Sequence, residues 1–72
     1  MAFTYKPLWH LLVENDMTKT QLREKLGLST ATLAKLGKDE YVSLEVIDKI
    51  CTLFNCQPND VIEHKKEEVS DE

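Results

Sequence analysis

The chain alternates short apolar runs of helical spacing with single residues that stop them. After Pro7, suited to a first helical position, Leu8, Leu11, Leu12 and Asn15 follow at three- and four-residue steps, and Trp9 and Val13 widen that surface. This predicts a first helix ending near Asn15 and Asp16. In the stretch MTKTQLREKLGLSTATLAKLGK, leucines recur at 22, 26, 28, 33 and 36. A single helix there would hold Gly27 and the locally bonding Ser29 and Thr30 in its interior, so two helices are expected. Thr18 caps the first of them, with Gln21 as reciprocal partner and Met17 stapled to Leu22, and Gly27 closes it with a backbone free to take positive φ. Ser29 caps the second, Leu28 and Leu33 repeat the staple spacing, and Gly37 offers its stop.

The same grammar continues. Residues KDEY form a turn, Val42, Ser43 and Ile47 repeat the staple, and Leu44, Ile47, Ile50, Cys51 and Phe54 share one broad face of a helix that Asn55 ends. Pro58 opens a final short helix, with Cys56 stapled to Val61. Phe3 and Tyr5 alternate in a short N-terminal segment expected to be an extended arm, and the charged residues 65–72 are expected to form a flexible acidic tail. The expectation is all-α: five helices in a single domain over 1–72, with the central helix pair at about 18–36.

Seventy-two residues allow one small core, and 42% hydrophobic residues are enough to build it. The run Leu11–Val13 is far shorter than the roughly 20 apolar residues that cross a bilayer, so neither membrane insertion nor secretion is signalled. Cys51 and Cys56 have neither CxxC nor zinc-finger spacing and are read as reduced, structural residues of a cytosolic protein.

Candidate catalytic chemistry is sparse. His10 and His64 stand in no metal-ligand motif, the pairs Asp39–Glu40 and Glu67–Glu68 read as solvated charge, and two glycines cannot make a phosphate loop. No enzyme activity, cofactor, metal or small-molecule substrate is implied. The charge is more telling. The net charge of -4 divides into +3 over residues 1–38, from six basic and three acidic side chains, and -7 over 39–72, from three basic and ten acidic. An acidic chain can thus carry one basic region able to meet a polyanion.

Two short helices joined by a tight turn cross at a wide angle and present the second outward. A helix about 10–12 Å across fits a DNA major groove about 12 Å wide. On that geometry Lys19, Ser29 and Lys38 are candidates for DNA phosphates, and Thr30, Ala31, Thr32 and Lys35 for base edges. No Arg, Gln or Asn occurs among residues 29–36, so the usual bidentate base readers are missing.

These residues resemble the helix-turn-helix of the Cro and phage-repressor (Xre) superfamily. KPLWHLLVEND before the motif and VSLEVIDKICTLFNCQPNDVI after it extend the similarity over about residues 6–63. The resemblance implies a lambda-repressor-like fold that binds double-stranded DNA and regulates transcription, often as a symmetric homodimer, in the cytoplasm at the nucleoid. It makes Leu22, Leu26, Leu28, Leu33 and Leu36 internal, Gly27 the turn glycine, and Lys19 a phosphate-facing residue. Arg23 departs from the small residue usual where the two helices cross, and Leu26 is larger than a common alanine. Phe3, Tyr5, Val61 and Ile62 are the candidates for a dimer interface. The alternative is a protein-interaction module that keeps the scaffold without strong DNA binding.

Overall fold

In the computed structural model, which describes residues 3–65, the chain runs through β1 (Phe3–Thr4), α1 (Lys6–Glu14), α2 (Lys19–Leu26), α3 (Thr30–Gly37) and α4 (Leu44–Phe54). A single 3-10 turn (Pro58–Asp60) and β2 (Glu63–His64) complete it. The fold is mostly helical, with four α-helices and one short strand pair among the described residues, and the expectation of five helices is corrected at its C-terminal end. The Val61 and Ile62 amides both donate to the Pro58 carbonyl, Val61 is fully buried, and the chain then leaves extended. It pairs antiparallel with β1, placing Phe3 opposite His64 and Thr4 opposite Glu63. The expected arm is thus a paired strand, and His64, just before the expected tail, packs its ring edge-on at 5.1 Å from that of Phe3. From residue 66 onward the expected tail lies outside the described residues.

Helix boundaries follow from two repeated devices. At three starts a hydroxyl replaces the missing helical acceptor: Thr18 accepts from the Gln21 amide, Ser29 from Thr32 and Ser43 from Val46 at 3.1, 3.1 and 3.3 Å. The Gln21 Oε1 returns the bond by accepting from the Thr18 amide at 2.9 Å. The four α-helices among the described residues each close on a left-handed residue: Asp16, Gly27, Asp39 and Asn55, with φ of 51, 67, 57 and 52°. After each, an amide reaches back five residues, Met17 to Leu12, Leu28 to Arg23, Glu40 to Lys35 and Cys56 to Cys51, at 2.8–3.0 Å. Gly37 is not the stop its residue type suggested. It stays helical, and Asp39 makes the reversal.

The core comprises Tyr5, Leu8, Leu12, Leu22, Leu28, Leu36, Ile47, Ile50 and Val61. Leu26 and Leu33 are half-buried at its margin. Leu44, expected inside, is 81% exposed, because it overhangs as the first residue of α4 while Val42 covers that end of the core. Tyr5 and Val61, expected at an interface, are interior and unavailable for one.

Asp39 is not merely solvated charge. Its Oδ1 accepts from the Tyr5 amide at 3.1 Å and from the Thr4 hydroxyl at 3.3 Å, while the Tyr5 hydroxyl donates to the Glu40 carbonyl at 2.7 Å. The connection leaving α3 is therefore tied to the start of α1. Burial pushes the Tyr5 phenol above its ordinary value; a backbone hydrogen bond at Val42 opposes this and the Asp39 charge adds to it.

Two predictions follow from these contacts. A Cβ at Gly27 or at Gly37 would meet nothing within 4 Å, so only backbone conformation separates the two sites. Gly27→Ala is expected to lower unfolding free energy by about 1–2 kcal/mol, the cost of a left-handed L-residue, and Gly37→Ala to raise it by about 0.4–1 kcal/mol, read by urea titration. For Tyr5 the folded pKa lies above the unfolded one, so its contribution is full below pH 10 and is lost as pH rises through the folded value. The melting temperature should fall in alkali, and Tyr5→Phe, starting about 1 kcal/mol less stable from the lost hydrogen bond, should fall less steeply.

Candidate nucleic-acid interface

Only Gly27, Leu28 and Ser29 separate α2 from α3. Gly27 turns the chain left-handed, Leu28 enters the core with 7% of its surface exposed, and Ser29 restarts the helix from an extended conformation. A turn this short, pinned by a buried leucine at its middle, fixes how α3 leaves α2. Leu22 of α2 and Leu36 of α3 are both fully buried, which holds the pair against the rest of the core.

The burial of α3 divides it cleanly. Leu36 is interior, Leu33 and Thr32 are half-buried, and Thr30, Ala31, Ala34, Lys35 and Gly37 are exposed, as is Lys38 just beyond the helix. At 100° per residue the exposed helical positions cluster on the side opposite Leu36. Ala34, absent from the residues singled out by sequence, stands near the centre of this surface. Its position opposite Leu36 in the helical period was the available signal. Thr32, expected among the base readers, leans toward the interior.

The hydroxyls at the start of α3 are partly engaged. Ser29 accepts from the Thr32 amide and donates to Thr32 Oγ1 at 3.0 Å. Its single proton is thereby used, whereas the Thr32 hydroxyl keeps its own. The Ser29 carbonyl takes the Leu33 amide, so the Thr30 and Ala31 amides remain at the open end of the helix. Both can meet an anion.

Lys19 begins α2, and its Nζ lies 4.4 Å from the centre of the Trp9 ring. Trp9, on α1, is half-buried against the core. In the sequence Trp9 stands on the margin of an apolar face, and no spacing rule between separate helices reveals this contact. Arg23 is half-buried in α2. Lys38 is the residue immediately after α3, and Asp39 beside it is anchored to β1 and α1, so the end of α3 is braced.

Other chemistry is sparse. Among the described residues no three His, Cys, Asp or Glu side chains gather to hold a metal, and no helix is long and apolar enough to cross a membrane. A groove of about 380 Å³ runs between the end of α2 and α4, lined by Lys25, Leu26, Asp48, Lys49, Thr52 and Leu53, and involves none of α3. Cys51 and Cys56 are free, half-buried thiols. Burial, then the neighbouring Cys51 and the charge of Asp60, push the Cys56 thiol up, opposite to the activation of a thiolate nucleophile.

Comparison with known proteins gives a consistent picture. Residues 7–67 match the family of Cro/C1-type helix-turn-helix DNA-binding domains. The chain is 33% identical over 60 residues to YozG of Bacillus subtilis (strain 168), an uncharacterised HTH-type transcriptional regulator, covering 81% of this chain and 71% of YozG. Its structure is similar to the crystal structure (form II) of the transcriptional regulator VanUg, with a TM-score of 0.88 and 48% identity over 92% of this chain and 88% of that one.

Proposed function

The chain belongs to the Cro/C1-type helix-turn-helix DNA-binding family, and from that membership we propose that it represses transcription by laying α3 in the major groove of a specific duplex. The observation that carries this reading is the outward face of α3. Its small side chains, Thr30, Ala31 and Ala34, let the helix backbone approach base edges closely, and Lys35 alone adds length and charge there. Alanine methyls suit thymine methyls, Thr30 can donate or accept, and Lys35 reaches guanine O6 and N7. Thr32 contributes its remaining hydroxyl proton at the rim. Lys19, at the start of α2, and Lys38, just after α3, take backbone phosphates. At Ser29 the engaged hydroxyl leaves the adjoining helix amides as the phosphate donors.

Repression follows from occupancy: a bound domain blocks whatever else must use that stretch of duplex. The protein works in the cytoplasm, on nucleoid DNA. Two copies on half-sites about 34–36 Å apart supply the specificity that one short reading helix lacks. Exposed Tyr41 and Leu44, beside half-buried Phe3 and Ile62 around a cavity of about 160 Å³, form the apolar surface such pairing would cover. Sedimentation with and without duplex tests the pair; one chain in both states would reject it.

Random-duplex selection followed by salt titration tests the main reading. Lys35→Ala is expected to erode preference for the selected sequence by about 1–3 kcal/mol. Lys38→Ala is expected to weaken all duplexes similarly and to reduce the salt slope by about one. A wild-type protein that selects no sequence, and binds random duplex no better than an acidic helical control, would contradict it and favour a protein-interaction module.

A further inference from the structure

We propose that Trp9 is a positioning residue for DNA binding: its indole face holds the Lys19 ammonium at the start of α2 for one backbone phosphate. The inference rests on the reading of Lys19 as a phosphate contact, and adds a residue from outside the helix pair. A lysine side chain on an exposed first turn samples many rotamers, and fixing one of them on a phosphate opposes binding through lost entropy. Here the ammonium already has a seat. Its Nζ lies 4.4 Å from the ring centre, well within the roughly 6 Å over which an aromatic face attracts a cation.

The seat itself is braced. The Trp9 amide donates to the Tyr5 carbonyl at 3.2 Å, and Leu8 and Leu12 of the same helix are buried. Half-burial against the core holds the ring while leaving a face for the lysine. An ammonium carries three N–H groups, so one side can rest on the ring while others donate to phosphate oxygens. The Thr18–Gln21 box engages the Thr18 and Gln21 amides. The Lys19 and Thr20 amides remain at the same open end, where they favour the same anion.

A double-mutant cycle on the selected duplex tests this, with dissociation constants measured across a salt series and each variant's fold checked by circular dichroism and melting. Lys19→Ala should weaken binding and reduce the salt slope by about one. Trp9→Leu should weaken binding about two- to fivefold with the slope retained, because the charge is still present but unseated. In the Lys19→Ala background, Trp9→Leu should cost nothing further. Trp9→Phe, which keeps an aromatic face, should lose less, and Trp9→Met replaces Trp9→Leu in the cycle if the leucine variant does not fold.

Equal losses on removing Trp9 in both backgrounds would overturn the proposal, since the ring would then act independently of Lys19. A wild-type level of binding and slope in Lys19→Ala would also overturn it while leaving the major-groove reading intact. Absence of wild-type binding to any duplex would instead sink the parent reading, and this one with it.

Discussion

The burial of Leu28 is the constraint on which the rest of the arrangement depends. It is the middle residue of a three-residue turn, and its side chain lies in the core with 7% exposure. Withdrawing it from water is worth about 1.5–3 kcal/mol, and it can be buried only if Gly27 reverses the chain before it and Ser29 restarts the helix after it. Those two neighbours are local requirements set by one nonlocal contact. With the turn closed, Leu22 and Leu36 enter the same core, and the Thr30, Ala31, Ala34 and Lys35 side of α3 must face outward.

The far end of α3 is secured differently. Asp39 accepts a left-handed backbone, which aspartate tolerates better than most residues, and its carboxylate gathers the Thr4 hydroxyl and Tyr5 amide. Tyr5 returns a bond to the Glu40 carbonyl. The N-terminal strand and α1 are thus coupled to the end of α3 through one short loop. The acidic half of the chain supplies this brace, while the basic half supplies Lys19, Lys35 and Lys38 for a polyanion.

What was legible in the sequence was local chemistry. Thr18, Ser29 and Ser43 announced helix starts, and Gly27 and Asn55 announced helix ends, because capping and left-handed tolerance are properties of single residues in short windows. The pairing of β1 with β2 was not legible, since two-residue strands carry no period and their partners lie about 60 residues apart. Asp39 read as surface charge because its donors, Thr4 and Tyr5, are separated from it by more than thirty residues. At the candidate interface, the exposed face of α3 followed from Leu33 and Leu36. Ala34 was overlooked because a small apolar residue has no conspicuous chemistry of its own, and the Trp9–Lys19 contact joins residues of two different helices, which no local spacing shows.

Chemical-shift mapping of backbone amides during titration with a selected duplex tests the central claim most directly. The account predicts perturbations concentrated over Ser29–Lys38 and at Lys19 and Thr20, with Thr30, Ala31, Ala34 and Lys35 among the largest. Perturbations confined instead to the surface around Phe3, Tyr41 and Leu44, with α3 unmoved, would contradict it.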